Sequence, residues 1–399
     1  MNPLRRRALS ATVLLLATAA ACAPGPPKSS ADVPGPPHPG AASPAGAGGA
    51  VSRRGFTLVA SGDVLPHDSV ISRAADDAGG EGYDFRPMLA GVKPVVSGAD
   101  LAICHMETVY GEEGGPYTGY PAFTSPPEIA RALRDTGYDS CSTASNHTLD
   151  DGTAGVRRTL GALDRAGVRH TGSARSAAEA ARPALLRAGG ARVAQLAYTY
   201  DTNGYPLPDG QPWAVGLLDE RKIVADARAA RKAGADVVVV SLHWGTEWET
   251  APDEKQLSLG RKLTASRTNG RPDIDLILGT HAHVPQAYEK VNGTWIIYGM
   301  GDQIAGTMVN DSGEHDPRGN QGSIGRFTFA PPAAAGERWP VKKAEFIPQL
   351  MDTEAGRVIN LPEAVRREPD RDDYQEARSA ISAAVLGRGA AGDGLTMGR

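Results

Sequence analysis

Six polar side chains that follow predicted strands are of the types that bind divalent metal ions in proteins: Asp63, Glu107, Asn146, His243, His281 and His283. This mixture of carboxylate, amide oxygen and imidazole suits zinc, manganese or iron, and it lacks the thiolates of a structural zinc site. Two such ions roughly 4 Å apart can bridge a phosphoryl or similar oxyanion and activate a water molecule. The six residues therefore predict a two-metal site suited to hydrolysis.

Each of these clusters also has an ordinary structural interpretation when it is taken alone. Asp63 after a glycine could form a turn, and Asn146 could cap a helix, because Asn and Asp favour both places. An isolated buried histidine such as His243 is more often a core residue than a ligand. The pair His281 and His283 is more specific, because alternate residues of a short loop can face two neighbouring ions. The ordered series as a whole favours the metal site.

Four further residues are candidates for the same site. His67 and His105 also follow predicted strands, and each is a candidate metal ligand or a wall of the site. His147, next to the candidate ligand Asn146, is the candidate catalytic residue. Asp150 could orient His147, although acidic residues are also common at the start of a helix.

Aromatic residues near the strand ends could contact a substrate. Trp244, Glu247 and Trp248 could bind a saccharide or a peptide, or they could simply close their loop over the core. Tyr200 ends another predicted strand and is a candidate for the wall of the crevice. The polar segment 310–323 is either a mobile loop or a lid.

The elements that must position these residues are short apolar runs that alternate with helical patterns. Continuous β-branched runs indicate strands buried on both faces, and their alternation with helices predicts a layered α/β sheet. In such a sheet the loops at the carboxyl ends of the strands form the ligand crevice. The predicted strands cover 56–61, 100–104, 137–143, 192–198, 236–242, 275–278 and 295–298, and the predicted helices cover 85–96, 127–135, 155–166 and 217–233. Further strand-like runs at 326–330 and 341–347 predict a β-rich end to the domain.

Five motifs in chain order give the candidate ligands a family context: GDVL, HMETV, SNHTLDDG, LHWGTEW and GTHAHVPQ. Over roughly residues 56–305 this series resembles the CapA/PgsA capsule (poly-γ-glutamate) synthesis family, a branch of the calcineurin-like metallophosphoesterases. The resemblance implies a layered fold of central β-sheets flanked by helices, and two divalent ions among which Mn, Fe, Zn and Mg are not distinguished. It implies that Asp63 and His283 bind the first ion and that Glu107 bridges the two. It also implies that Asn146, His243 and His281 bind the second ion and that His147 is the donor to the developing oxyanion.

The chain departs from the family pattern at several of these positions. The Asp-x-His that is usual in the metallophosphoesterase superfamily at the first motif ends here at Leu65, so one ligand is missing unless His67 replaces it. His105 stands where the family more often has Asn, and Glu107 stands where typical phosphoesterases have Asp. Asp302 ends the sequence Gly-Met-Gly-Asp in place of the family's Ser-Leu-Gly-Asn. These departures bear on metal occupancy and activity more than on the fold.

The N-terminal segment has the pattern of an export signal. Three arginines at 5–7 precede an apolar run at 11–17 and small residues before Cys22, which is typical of a secretory signal peptide. The residues directly before Cys22 resemble a bacterial lipobox. We therefore expect residues 1–22 to be a signal peptide with lipobox Cys22, and we expect a lipid on Cys22 to hold the protein at the outer face of the cell membrane. The alternative is an ordinary signal peptide and a secreted protein.

Composition divides the rest of the chain into three parts. Residues 23–52 are mostly Pro, Gly, Ala and Ser and predict a disordered linker. Residues 53–350 are long enough for one sizeable domain. Residues 351–399 are charged, Gly/Ala-rich and short of large apolar side chains, so we expect a poorly ordered tail. With 42 basic and 46 acidic residues the net charge is −4, which gives no sign of nucleic-acid binding.

Two cysteines remain in the predicted domain. Cys104 and Cys141 lie near the ends of predicted strands, and in an exported protein two such cysteines suggest a disulfide. Two buried free thiols are the alternative.

Three functions are consistent with these features. The first is a metal-dependent hydrolase that acts on a phosphoester or amide-like bond of an envelope polymer. The second is a non-catalytic accessory that binds an anionic polymer such as poly-γ-glutamate, or its synthesis machinery. The third is a tethered binding domain whose site has decayed. The sequence indicates neither the substrate nor the oligomeric state.

Overall fold

The computed structural model of the protein describes residues 54–310, 312–334 and 336–399. The predicted signal segment, Cys22 and the predicted linker lie outside the described residues. Within the described part of the chain, no helix is both long enough and apolar enough to cross a membrane.

Seventeen strands build the sheets of the described residues. The first nine are β1 Phe56–Leu65, β2 Leu101–Met106, β3 Ser140–Ser142, β4 Arg169–Thr171, β5 Ala184–Ala188, β6 Ala191–Thr199, β7 Val237–His243, β8 Arg267–Thr268 and β9 Arg271–Pro272. The others are β10 Leu276–Thr280, β11 Tyr288–Val291, β12 Thr294–Ile297, β13 Asp302–Ala305, β14 Gln321–Phe329, β15 Val341–Asp352, β16 Arg357–Asn360 and β17 Leu395–Met397.

Ten α-helices connect and cover these strands: α1 Asp68–Asp77, α2 Arg86–Leu89, α3 Lys93–Ser97, α4 Glu128–Thr136, α5 Gly152–Ala166, α6 Ala177–Ala180, α7 Glu220–Lys232, α8 Glu254–Ala265, α9 Leu361–Arg367 and α10 Asp372–Leu386. The helix predicted over 85–96 is two short helices, each with a proline in its first turn. Because proline interrupts a preceding helix but suits the first turn of a new one, the break falls before the second proline.

Two large sheets form the centre of the fold. The nine-stranded sheet has the order β16-β15-β14-β1-β2-β3-β4, with β13 also paired to β1 and β17 to β15. Strands β1 to β4 run parallel, whereas β14, β15 and β16 are antiparallel. The six-stranded sheet has the order β11-β12-β10-β7-β6-β5, and its middle strands β12, β10, β7 and β6 are parallel. Strands β8 and β9 form a separate two-stranded pair.

The two sheets share a buried core and carry helices on their outer faces. On β1, Leu58 and Ala60 belong to the same cluster as Val237 and Val239 of β7, so these side chains fill the space between the sheets. The alternate residue Val59 belongs to a second cluster that includes residues of helices α1 to α5. A third cluster joins the outer face of the second sheet to α7 and α8. The predicted layered α/β fold and its β-rich end are therefore confirmed.

The C-terminal segment is ordered, so the prediction of a poorly ordered tail was wrong. Helix α10 buries Tyr374, Ala377, Ile381 and Val385, and these residues join the core between the sheets. They are spaced three or four residues apart, which gives the helix one apolar face although three of them are small or β-branched. Strand β17 then pairs in parallel with β15, which ties the end of the chain to the larger sheet.

A disulfide joins Cys104 of β2 to Cys141 of β3. The two residues are directly opposite each other in the parallel pairing of these strands, with Cα atoms 4.4 Å apart. The disulfide suggested by the sequence is thus present. It links β2, which carries His105 near its end, to β3, which leads to Asn146.

Candidate metal centre

The carboxyl ends of the parallel strands of both sheets meet at one edge of the fold. Asp63 of β1 lies opposite His105 of β2 in the pairing of the first sheet. His243 at the end of β7 lies opposite Thr280 at the end of β10 in the second sheet, and His281 follows directly. The register of the strands therefore brings the predicted ligands into one place.

The position of Asp63 depends on a close approach of two backbones. A Cβ atom on Gly62 would lie 1.7 Å from the carbonyl oxygen of Gly301, so only glycine fits there. The next amide, that of Asp63, donates a hydrogen bond of 3.1 Å to the same carbonyl. The register of β1 with β13 shifts at Asp63 and Val64. A glycine and a β-bulge thus set the carboxylate at the end of the strand.

The loop after β10 holds two histidines in an unusual backbone conformation. His281 has φ 95° and His283 has φ 57°, both in the left-handed region that side chains other than glycine rarely adopt. Each such residue costs roughly 1–3 kcal/mol, and this cost is tolerated mainly at functional sites. The amide of His281 donates a hydrogen bond of 3.1 Å to Asp63 Oδ2, which fixes the loop against β1. The geometry places both imidazoles, 6.1 Å apart between ring centres, at the same edge of the fold.

The six predicted ligands are all buried and lie close together. His243 Nε2 is 2.8 Å from Asn146 Oδ1 and 3.7 Å from Glu107 Oε1. His243 Nδ1 is 4.0 Å from Asp63 Oδ1. Exposure ranges from 0% for Asp63 to 5% for His283. The structure therefore assembles the residues that the sequence selected, across both sheets.

Several polar atoms of this cluster have no hydrogen-bond partner among the described residues: Asp63 Oδ1, His105 Nε2, both oxygens of Glu107, His281 Nδ1 and Asp302 Oδ2. A buried, unpaired carboxylate is costly, because nothing in a low-dielectric interior replaces its hydration. The centre contains three groups of acidic and histidine residues, and within each group the potential ligand atoms lie within 4.8 Å of one another. The donor types and the unsatisfied atoms together fit divalent cations.

Burial and mutual repulsion disfavour the charged forms of the carboxylates in the centre. Burial, and then the nearby charge of Asp302, raises the pKa of Asp63 to about 8. Burial, and then Asp63, raises the pKa of Glu107 well above its ordinary value. Burial disfavours the charged form of His283, but the negative charges of Asp302 and Glu107 outweigh it and raise the pKa of that histidine well above its ordinary value. A divalent cation beside these carboxylates would favour their charged forms.

The other two predicted histidine ligands are held neutral. Burial, followed by the charge of neighbouring histidines, lowers the pKa of His243 and of His281 well below the ordinary value. A neutral imidazole is the form that binds a metal ion.

His147 lies at the centre with a carboxylate behind it. Its Nδ1 is 2.7 Å from Asp150 Oδ2, and the same oxygen accepts a hydrogen bond of 2.7 Å from the amide of Phe123. The ring of Phe123 packs edge-on against the imidazole at 4.8 Å. Asn203 Nδ2 is a more distant neighbour of Nδ1, at 3.5 Å. Asp150 thus fixes the orientation of His147, and Nε2 is the nitrogen that remains for a substrate.

The remaining two histidine candidates occupy different places. His67 Nδ1 lies 3.0 Å from the Leu65 carbonyl and accepts a hydrogen bond of 3.1 Å from the Gly306 amide, so it stays in the wall. Burial lowers the pKa of His67 to about 4. His105 is 2% exposed and its ring stacks on that of His243, with centres 4.8 Å apart. His105 belongs to one of the ligand groups, whereas His67 does not.

Sequence reasoning missed two carboxylates of the centre. Asp302 Oδ1 lies 2.9 Å from His283 Nδ1, and Asp302 shares a ligand group with Asp63. The sequence showed Asp302 as a departure from the family's terminal Asn, which was the available signal. Glu247, considered only for substrate contact, lies in a ligand group with His281 and His283. Its Oε1 is 3.9 Å from His281 Nδ1.

Aromatic side chains line the approach to the histidines. The ring of Tyr200 is 4.4 Å from that of His281, and 43% of Tyr200 is exposed. The ring of Trp248 is 6.3 Å from that of His283, and Trp248 has φ 68°. Trp244, in contrast, is buried and its indole donates to the Tyr298 carbonyl, which is a structural role. Tyr200 thus offers an exposed ring beside His281, whereas Trp248 is partly buried beside His283.

Comparison with known proteins identifies relatives over the part of the chain that builds this centre. The family model described as "Bacterial capsule synthesis protein PGA_cap" matches residues 57–307. PGA biosynthesis protein CapA of Bacillus subtilis (strain 168) is 27% identical over 208 residues, which are 51% of this chain and 53% of that protein. Capsule biosynthesis protein CapA of Bacillus anthracis is 26% identical over 180 residues, which are 44% of this chain and 42% of that protein. The chain thus spans about half the length of the curated relatives it matches, and the family expected from the motifs is confirmed.

Solved structures with a related arrangement were also found. A calcineurin-like phosphoesterase, YfkN from Bacillus subtilis, matches 82% of this chain and 99% of that chain with a TM-score of 0.42 and 12% identity. A putative 5'-nucleotidase from Staphylococcus aureus in complex with α-ketoglutarate matches 82% of this chain and 58% of that chain with a TM-score of 0.44 and 16% identity. Both TM-scores are below 0.5, so neither likeness bears on activity.

Proposed function

The chain belongs to the bacterial capsule synthesis protein PGA_cap family, and from that premise we propose that it is a metal-dependent hydrolase of a capsule or poly-γ-glutamate polymer at the cell envelope. The bond would be a phosphoester or an amide-like bond. The observation that carries this proposal is the convergence of buried acidic and histidine side chains whose polar atoms lack partners among the described residues. Such a set is costly for a binding surface and suited to a metal centre.

The proposal assigns the metal ligands as follows. Asp63 and His283 would hold one ion, Glu107 would lie between the ions, and Asn146, His243 and His281 would hold the other. Divalent ions held there would polarise an oxyanion substrate and lower the pKa of water. The burial of these residues excludes bulk solvent, which strengthens every charge interaction inside the centre.

In this proposal His147 donates the proton to the leaving group, which is the oxygen of a phosphoester or the nitrogen of an amide-like bond. Asp150 holds Nδ1 at 2.7 Å, so the ring can carry its transferable proton on Nε2. The carboxylate also stabilises the imidazolium before the transfer, and it keeps the ring oriented. Because Asp150 also accepts a hydrogen bond from the backbone amide of Phe123, the position of its carboxylate is fixed by the backbone. The pair is therefore pre-organised for general acid catalysis.

The approach to the centre suits a polymer segment. The ring of Tyr200 lies next to His281 and the ring of Trp248 lies next to His283. Aromatic rings bind the apolar faces of saccharide or peptide units at little entropic cost. The relatives' names, which refer to capsule and PGA biosynthesis, support an anionic envelope polymer or its synthesis machinery as the partner.

The proposed location is the outer face of the cell membrane, with a lipid on Cys22. The N-terminal pattern of arginines, apolar run and small residues supports export. Metabolic labelling with palmitate tests the anchor, since Cys22→Ala would abolish it. Label retained by the Cys22→Ala protein would contradict the anchor, and release of unlabelled protein into the medium would favour the secreted alternative.

Metal content and hydrolysis measured on the same protein test the proposed activity. We expect about two equivalents of a transition metal by elemental analysis, and hydrolysis of a chromogenic phosphodiester or of poly-γ-glutamate. His281→Ala should abolish hydrolysis and reduce metal content. The matched control is His170→Ala. The side chain of His170, on β4 and away from the centre, is also largely buried but forms an ion pair with Asp164. Protein with no stoichiometric metal would refute the proposal.

A non-catalytic polymer-binding accessory is the second candidate, and one observation favours it. Leu65 stands where a metal-binding histidine is usual in the first motif, and it is buried against Phe123, Ala305 and Met308. An accessory would bind the polymer with unchanged affinity after His147→Ala and would hydrolyse none of the substrates. Measurable turnover that disappears in His281→Ala would exclude this alternative.

A further inference from the structure

The first ion position of the proposed centre lacks a second ligand from β1. Leu65, two residues after Asp63, is 2% exposed and belongs to an apolar cluster, so it contributes no donor atom. His67 belongs to none of the groups of potential ligand atoms that the described residues form. An ion bound to Asp63 therefore needs a donor from another strand.

The neighbouring strand β2 places such a donor directly beside Asp63. His105 is opposite Asp63 in the parallel pairing of the two strands and is 2% exposed. Its Nε2 is one of the buried atoms with no hydrogen-bond partner among the described residues, and so is Asp63 Oδ1. The two atoms are 3.6 Å apart, which is too long for a hydrogen bond.

That separation matches the spacing of two ligands on one ion. With metal–ligand bonds of about 2.1 Å, two ligands of a tetrahedral or octahedral ion are roughly 3.0 to 3.4 Å apart. A movement of a few tenths of an ångström would therefore bring His105 and Asp63 onto one cation. Both residues belong to one group of potential ligand atoms that all lie within 4.8 Å of one another.

The hydrogen-bond partners of His105 are compatible with the tautomer that a metal needs. Its Nδ1 is 2.7 Å from Ser142 Oγ, and Ser142 Oγ has a second acceptor in the carbonyl of Cys104 at 3.4 Å. When the hydroxyl hydrogen points to that carbonyl, Ser142 Oγ accepts the hydrogen of His105 Nδ1. Nε2 then carries a lone pair, which is the arrangement of metal-binding histidines with a partner behind them.

We infer that His105 is a ligand of the ion bound by Asp63, in the place of the histidine that is missing at Leu65. The inference rests on the proposed metal centre and concerns the composition of that centre, not its reaction. It accounts for a histidine at a position where the family more often has Asn.

The test is metal binding by the purified protein, measured without any activity assay. The wild-type chain is loaded with Co²⁺, and the equivalents bound, the dissociation constants in chelator competition and the visible absorption of the cobalt are recorded. In His105→Asn we expect one equivalent to be lost, or its dissociation constant to rise by about 100-fold or more, with a changed cobalt spectrum. His170→Asn is the matched control and should leave all three readouts unchanged.

A second variant keeps the test valid if His105→Asn fails to fold. Ser142→Ala retains the imidazole but removes the partner of Nδ1, so the same ion should bind roughly 10-fold more weakly. Two equivalents with wild-type affinity and spectrum in His105→Asn, or unchanged affinity in Ser142→Ala, would overturn the inference. If the wild-type protein binds no metal, the proposed function fails as well. If wild type and His105→Asn both bind two ions equally, only this inference fails.

Discussion

Replacing Cys104 and Cys141 together with alanine should lower the free energy of unfolding by about 4 kcal/mol. The disulfide closes a loop with a sequence separation of 37 residues. In the chain-entropy model, a loop of that length removes about 13 cal/mol/K from the unfolded state, which is about 3.8 kcal/mol at 25 °C. With an unfolding entropy of about 0.7 kcal/mol/K for a folded part of this size, the melting temperature should fall by about 5 °C.

The assay separates loss of the bond from loss of the sulfur atoms. Cys104→Ala and Cys141→Ala each break the bond, and each leaves one thiol in the core. If the bond dominates, each single variant should lose most of what the double variant loses, because the effects of two bonded residues are not additive. Urea unfolding of the three variants and of wild type gives the free energies, and thiol labelling of the unfolded wild type verifies the bond.

Two results would refute this reasoning. One is a double variant that loses less than about 1 kcal/mol, since the bond would then stabilise nothing measurable. The other is two single losses that are small and add up to the double loss, since this would assign the effect to packing alone.

Three further predictions concern the site and the C-terminal segment. Gly62→Ala should cost at least about 3 kcal/mol in urea unfolding and reduce metal content, because its Cβ would lie 1.7 Å from the Gly301 carbonyl oxygen; wild-type stability would contradict this. Asp150→Asn should lower kcat roughly 100-fold or more with KM and metal content little changed, because it removes the anion behind His147; an unchanged kcat would exclude the proposed acid. Ile381→Ala should cost about 3 kcal/mol in urea unfolding, because this side chain is 0% exposed in the core between the sheets; an effect below about 0.5 kcal/mol would mean that the tail is dispensable.

The fold was predictable where apolar runs were long and β-branched. The run at 236–242 became β7, and the run at 275–278 became most of β10, because strands buried on both faces must be apolar throughout. The sequence did not show that the strands divide into two packed sheets. That division depends on pairings between strands far apart in the chain, such as β1 with β14.

The C-terminal segment was mispredicted for a specific physical reason. Its composition is small and charged, which is typical of disorder when counted as a whole. Its helix nevertheless places Tyr374, Ala377, Ile381 and Val385 on one face. Spacing, and not the number of large side chains, decides whether such a helix can bury a surface.

The candidate ligands were predictable because each lies near or just after the carboxyl end of a strand and because the motifs occur in order. Asp302 and Glu247 were harder to recognise, since a carboxylate's role depends on what faces it. Asp302 begins β13 and meets His283 only because β13 pairs with β1 next to Asp63. No local pattern around Asp302 contains that information.

The departures from the family pattern are neighbours in space. Asp63 pairs with His105 of β2 on one side and with Asp302 of β13 on the other, and both differ from the family's usual asparagines. Asp302 forms a hydrogen bond with Nδ1 of His283, which leaves Nε2 of that ring for a cation. A carboxylate behind the ring also raises the basicity of Nε2. Leu65 thus offers no donor on β1, whereas His105 and Asp302 place an imidazole and a carboxylate on either side of Asp63. A decayed site would be expected to lack donor atoms around its remaining carboxylate. The arrangement instead fits one ion held by Asp63 together with donors from the two neighbouring strands.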